Sequence, residues 1–218
     1  MDAQLLIDPV SAGFVATGTI VVALARTGWR DSRETARQLG ALVTRKFDLS
    51  EQRAELAGQV EQMRRDGVIR VHAAAVSDQE LRDATAAMIR QRSTTALLDQ
   101  HRQHVAKRTL RRETAIAALE QAGELAPVLG LAGTLIALSQ LPGSELAGGG
   151  DVMASVSTAV VSTFYGLMFA HLLFHPLAAA IARRGRKEEE DREELVQWMA
   201  QQLEPACPPR STVESHAA

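Results

Sequence analysis

From Leu125 to Ala182 the chain carries no lysine and no arginine. Two acids, Glu145 and Asp151, cut that stretch and leave two long uncharged windows, Leu125 to Ser144 and Val152 to Ala182. A third uncharged window runs from Pro9 to Ala25, and Leu5, Leu6 and Ile7 extend its apolar body past Asp8. A helix crossing hydrocarbon needs roughly 17–25 mostly apolar residues, because every backbone polar group must be satisfied internally over the thickness of the bilayer. All three windows are therefore expected to span a membrane as helices. Buried core helices of a soluble bundle would be equally apolar, but the placement of charge argues against them.

Eighteen of the 24 basic residues lie between Arg26 and Arg112, and six between Arg183 and Arg210. The N-terminal segment ahead of Arg26 and the turn from Pro142 to Asp151 contain acids but no base. By the positive-inside rule the N-terminus is outside, and the middle segment and C-terminal tail are cytoplasmic. Three crossings satisfy both placements. The first window lacks a basic n-region, and Arg26, Arg30 and Arg33 follow its apolar run, so it reads as an uncleaved span. The net charge of −2 and the 46% hydrophobic content look soluble only because they average charged and uncharged territory.

The expected fold is therefore all-α: an integral membrane protein with three transmembrane helices, N-out and C-in, and a helical cytoplasmic domain. Residues 1–26 hold the first span, 27–122 the cytoplasmic domain, 123–182 a transmembrane hairpin and 183–218 a cytoplasmic tail. Trp29 sits at interface depth. Asp31 to Lys46 has helical spacing, with Ala36, Leu39 and Leu42 on one side. Asp48-Leu-Ser-Glu51 and Ser77-Asp-Gln-Glu80 read as capping boxes, the first opening a helix to Asp66 with Gly67 beyond it, the second a helix to about Gln91. Ser93 caps a third helix that runs through Ala122 into the second span. Pro127 falls inside that span and allows a kink. Leu195, Trp198 and Met199 mark a short amphipathic helix, and Pro205, Pro208 and Pro209 a tail.

Several function classes are excluded. Aromatic content of 4% is too low for a base-stacking module, and a net charge of −2 opposes polyanion binding, so no nucleic acid is expected. Cys207 is the one cysteine and forms no intrachain disulfide. No metal constellation, phosphate loop or nucleophile elbow is present, so the chain reads as neither an enzyme nor a cofactor protein. His101 and His104 read as solvated surface, and His171 and His175 as interfacial side chains.

The spans carry more information. Ala126, Gly130, Gly133 and Ala137 form one small-residue stripe; Ser155, Ala159, Thr163, Gly166 and Ala170 form another, with Ser155, Thr158 and Ser162 adding hydroxyls. Such stripes pack helices closely. They also line polar paths, with Thr134 contributing, and the residues alone leave both readings open. No acid or base lies inside any span, so a proton path would take its titratable group from a partner.

At these residues the chain resembles the MotA/TolQ/ExbB proton channel family. The resemblance rests on Ala126-Pro-Val-Leu-Gly-Leu-Ala-Gly-Thr-Leu135 and on the run from Ala159 through Thr163, Phe164, Tyr165 and Gly166 to Pro176 and Leu177. The second run, and the opening from Asp8 to Thr19, are closer to the flagellar-motor MotA branch than to ExbB or TolQ. The resemblance covers residues 8 to about 200. It implies a bacterial inner-membrane ion-channel subunit that couples proton or sodium flow to mechanical work such as flagellar rotation. It further implies about five copies around a single-span partner (MotB-, ExbD- or TolR-like) whose membrane Asp carries the ion, and a rotor protein as a further contact. On this reading Thr134, Ser155, Thr158, Ser162 and Thr163 line the ion path, and Gly130, Gly133 and Gly166 pack the helices. Pro127 and Pro176 match coupling prolines and Arg64 matches a rotor-contacting Arg. His72 stands where that branch has an acid. MotA has four spans, whereas three spans with a large loop after the first is the ExbB and TolQ topology. An ExbB/TolQ-like energiser of outer-membrane transport or envelope integrity, and a non-conducting scaffold, are the alternatives.

Overall fold

The computed structural model describes residues 8–44, 47–66, 78–139 and 149–207, with side chains from residue 152 in the last segment. Gly67, His72, Ser77, the turn from Pro142 and the prolines at 208 and 209 lie outside the described residues. Among those described, the fold is all-helical: α1 (Pro9–Val43), α2 (Leu49–Asp66), α3 (Gln79–Gln91), α4 (Thr94–Ser139), α5 (Gly149–Met168) and α6 (His175–Leu203). A π-helical turn, Phe169–Phe174, joins α5 to α6, and a 3₁₀ turn, Glu204–Ala206, ends the described chain. Three stretches are long and apolar enough to cross a membrane: α1, α4 and the run from Val152.

The helices divide into two compact units. The first holds residues up to 44 and 111–184; the second holds 45–110 and everything from 185 onward. Helices α4 and α6 contribute to both.

In the first unit, α1 opens at Asp8, whose carboxylate accepts from the Val10 amide at 3.0 Å, with Pro9 in the first turn where its missing N–H costs nothing. The helix breaks at Gly28, which adopts φ 79° and ψ 162°. Only glycine occupies that region without strain. Hydroxyls bracket the break: Thr27 donates to the Ala23 carbonyl at 2.8 Å, Ser32 donates to the Gly28 carbonyl at 2.8 Å, and the two hydroxyls are 3.1 Å apart. A Gly28→Ala substitution is expected to destabilise by about 1–3 kcal/mol, read as a lower thermal midpoint of the purified protein, although no neighbour lies within 4 Å of the new methyl. Pro127, by contrast, sits inside a continuous α4. Beyond the break, Leu39 and Leu42 pack with Ile116, Phe174 and Leu177 around buried Ala115, Leu119, Ala178 and Ile181. Ala36, expected on that side, is exposed, and Thr35 is the buried neighbour. Arg184 donates to the Leu42 carbonyl at 2.8 Å and the Thr44 carbonyl at 3.1 Å, satisfying the open C-terminal end of α1 with a positive charge.

In the second unit, helical spacing places Leu56, Val60 and Met63 of α2 and Leu81, Ala84 and Met88 of α3 in one core with Leu97, Leu195, Val196, Met199 and Leu203. Asp48 caps α2 through the Ser50 amide at 2.9 Å. Asp78, rather than Ser77 one place earlier, caps α3 through the Glu80 and Leu81 amides at 2.9 and 3.1 Å. Ser93 reaches the Thr95 amide at 3.3 Å at the start of α4.

Leu195, Trp198 and Met199 do not form a short separate helix. They belong to α6, which is continuous from His175. The charged run across residues 183–191 propagates it, because Glu, Lys and Arg are good helix formers and Arg192 closes an i,i+4 pair with Glu188 at 3.1 Å. One glycine, Gly185, does not break a helix held at both ends.

An ionic cluster sits beside this core. Arg192, 8% exposed, reaches Asp78 at 2.7 Å and lies 3.5 Å from Glu80. Arg108 pairs with Glu189 at 2.8 Å and contacts Glu80. His104 belongs to this cluster and is not solvated surface: its side chain is 14% exposed, 3.9 Å from both Glu80 and Asp83. His101 is half-buried too, and that burial pushes its imidazole below the ordinary value despite the nearby Glu189.

Candidate functional site: the crossing of the charge-free helices

Of the expected site residues, Pro127, Gly130, Gly133, Ser162, Thr163 and Gly166 meet where α4 crosses α5, whereas Arg64 lies on α2 and Pro176 on α6. A methyl added to Gly130 would lie 2.9 Å from the Ser162 carbonyl oxygen and 3.2 Å from the Thr163 Cα. One added to Gly166 would lie 2.7 Å from the Ala126 carbonyl oxygen and 3.1 Å from the Pro127 Cα. These are backbone atoms, so nothing can swing aside. Glycine is required here for close approach rather than for conformational freedom. Gly133 faces the Ser162 hydroxyl, where a methyl would overlap it.

Ser162 is 2% exposed and donates across the crossing to the Gly130 carbonyl at 3.0 Å. Its proton is committed, so its remaining capacity is as an acceptor. Ser162, Ser155 and Thr158 border an open cavity of about 330 Å³, which is also lined by Gly133, Ile136 and Ala137 of α4 and by Val10, Ser11 and Phe14 of α1. Ser11 is not among the expected lining residues. Its hydroxyl donates to the Asp8 carboxylate at 2.5 Å. The signal is present in Asp8-Pro-Val-Ser11, where a serine three residues after a helix cap returns to that cap.

Thr134 and Thr163 do not border this cavity. The Thr134 hydroxyl donates to the Leu131 carbonyl at 2.6 Å, which likewise leaves it with acceptor capacity alone. Thr163 is half-buried, with its Cα against Gly130. Pro127 is half-buried at the same crossing, its Cα against Gly166.

Pro176 is exposed at the start of α6. It has no N–H to donate one turn back, and the turn preceding it is π-helical, with the His175 amide bonded to the Ala170 carbonyl. That wider turn brings the His175 ring onto Gly123, where an added methyl would lie 2.7 Å from Cε1. The His171 and His175 rings are 5.5 Å apart. Arg64 is exposed and paired with Glu61 at 3.1 Å; Arg65 holds the same carboxylate at 2.8 Å. No cluster of metal-ligating side chains occurs among the described residues.

Such an arrangement defines a class: an integral membrane protein whose charge-free helices cross at glycines and carry hydroxyls beside the crossing. The family model for the MotA/TolQ/ExbB proton channel family matches residues 70–194, more than half of the sequence, and the chain belongs to that family. The chain is similar to Motility protein A of Bacillus subtilis (strain 168), 26% identical over 151 residues, or 66% of this chain and 54% of that protein. It thus spans about half the length of that curated relative. Its fold is that of the flagellar MotAB stator complex from Bacillus subtilis (TM-score 0.81, 22% identity) and of MotAB from C. jejuni (TM-score 0.80, 18% identity). Each of these matches covers 94% of this chain and 81% of the other.

Proposed function

We propose that the chain is the MotA-like ion-channel subunit of a bacterial inner-membrane motor complex, coupling proton or sodium flow to mechanical work such as flagellar rotation. It works as an ion channel and not as an enzyme. About five copies surround a single-span partner, MotB-, ExbD- or TolR-like, whose membrane Asp binds and releases the ion. The observation that carries this reading is the pairing of charge-free spans with hydroxyls whose protons are already committed. A site of that kind accepts from a protonated carboxyl or coordinates a cation, and supplies no titratable group itself. Thr134 and Thr163 stand beside the partner Asp; Ser155, Thr158 and Ser162 hydrate the path from the cavity. Pro127 and Pro176 couple ion passage to helix movement. Arg64, on the cytoplasmic side of an N-out, C-in topology, contacts a rotor protein.

Purification in mild detergent tests the reading: co-purification of a single-span protein with a membrane Asp, and a homo-oligomer near five, are expected. Proton or sodium flux through the reconstituted pair should vanish when that Asp becomes Asn. A monomer without such a partner would sink the proposal, and an assembled but non-conducting complex would identify a scaffold. Deletion should abolish swimming; loss of siderophore uptake or envelope integrity with swimming intact would assign the ExbB/TolQ role. Pro176→Ala is expected to reduce swimming speed at least tenfold with membrane abundance unchanged, because it restores an N–H and allows the π turn to revert to α. Unchanged swimming would remove Pro176 from coupling.

A further inference from the structure

We propose that Trp29, Arg26, Arg30 and Arg33 form a binding surface for the headgroups of anionic phospholipids. Pro9 to Thr27 is unbroken helix up to the break at Gly28. At a rise of about 1.5 Å per residue that segment is about 28 Å long, the thickness of a hydrocarbon core. The break therefore falls where the chain leaves the lipid. Trp29 immediately follows it and is 80% exposed. A tryptophan left so bare in water would be costly, whereas at headgroup depth its ring meets acyl chains and its N–H meets polar groups.

Arg26, Arg30 and Arg33 surround it in sequence, and all three are exposed. None of them makes an ion pair among the described residues. Arg37, one turn further, is the contrast: it is paired with Glu34 at 3.5 Å. Only Asp31 opposes the three guanidinium groups within that segment. Guanidinium forks match phosphate oxygens bidentately, and phosphatidylglycerol adds a net negative charge that phosphatidylcholine lacks.

The glycine break matters to this surface because it frees Arg30 and Arg33 from the direction of the span. Bridging by Thr27 and Ser32 holds the break in one geometry. Charge complementarity, the depth of the break and the bare indole point to one occupant, the anionic leaflet surface.

Trp29 is its own reporter, because Trp198 is the one other tryptophan. The full-length protein carrying Trp198→Phe is reconstituted in equimolar phosphatidylglycerol and phosphatidylcholine, with one or the other lipid dibrominated. Subtracting the Trp29→Phe spectrum from wild type replaces that background if it folds poorly. Each basic residue at an anionic surface contributes about fivefold in partition. Preference for phosphatidylglycerol at Trp29 is expected to be on the order of tenfold, since Asp31 offsets part of the sum.

Arg26→Gln, Arg30→Gln and Arg33→Gln together should bring that preference to near unity, and the triple Lys variant should retain most of it. Millimolar inorganic phosphate should leave it unchanged. Equal quenching by the two lipids would overturn the proposal and leave the patch to an acidic protein surface. So would absence of quenching by either lipid, a preference that survives the triple Gln change, or one abolished by free phosphate.

Discussion

Gly130→Leu and Gly166→Leu are each expected to destabilise the protein by about 3 kcal/mol or more, at the upper end of overpacking costs, and to deplete it from the membrane. The reason is backbone-to-backbone approach. At both positions even a methyl would be forced to within about 3 Å of carbonyl oxygens or Cα atoms of the facing helix. Relief requires moving one helix off the other, which breaks the Ser162 hydrogen bond to Gly130. The measurement is thermal unfolding of the purified protein with membrane abundance. Glycines elsewhere on α1 supply the contrast. At Gly18 a methyl would sit 3.4 Å from Leu129 Cδ1, and at Gly13 it would meet nothing within 4 Å. Gly18→Ala should be nearly neutral, and Gly13→Ala neutral or stabilising by about 0.5–1 kcal/mol from its better helix propensity. If Gly130→Leu and Gly13→Ala behaved alike, the close crossing would be wrong.

The second large effect lies in the other unit. Arg192→Ala is expected to cost about 2–3 kcal/mol, because it leaves the part-buried carboxylates of Asp78, Glu80 and Glu188 without the buried guanidinium that holds them. Burial by itself would raise the Asp78 carboxyl, but the Arg192 hydrogen bond and charge, with the Leu81 amide, carry it below the ordinary value. A carboxyl depressed in the folded state contributes stability that is full above its unfolded value of about 4 and fades as pH falls through the folded one. Wild-type stability should therefore decline with acid below about pH 4, and Arg192→Met should flatten that component. Hydrogen exchange at α3 amides is the sharper readout, since Asp78 also caps α3. Asp78→Asn keeps a capping acceptor and loses the charge, so it should cost less than Asp78→Ala. Unaltered α3 exchange in Arg192→Ala would refute the role assigned to this pair.

Much of the fold is legible in the residues. Windows free of charge are long-range statistics of composition, and α1, α4 and the run from Val152 coincide with them. The start of α2 at Asp48 and the helix after Ser93 follow local capping chemistry, which acts over three residues. Where expectation and structure part, the deciding interaction is non-local. Leu195 to Met199 read as a separate helix because the acidic run looks like a linker; α6 carries that run as helix, with Arg192 anchored to Asp78 beside α3. His104 looks solvated because its neighbours in sequence are polar, yet Glu80 and Asp83 reach it from another helix. Gly28 is a local case: its backbone angles break α1 because only glycine adopts them freely, while Pro127 lies inside an uninterrupted α4.

The candidate site divides in the same way. Sequence by itself determined the kinds of residue on the crossing helices: small residues at helical spacing, hydroxyls beside them, and no charge, because hydrocarbon penalises every alternative. It could not determine how the hydroxyls are shared out. Tertiary structure decided that Ser155, Thr158 and Ser162 turn to a cavity completed by Ser11 of α1, while Thr134 and Thr163 do not border it. A stripe is a property of one helix and is set by the helical period. Which side of the stripe meets which neighbour depends on where two helices can approach most closely, and here the contact of Gly130 with Gly166 sets that point.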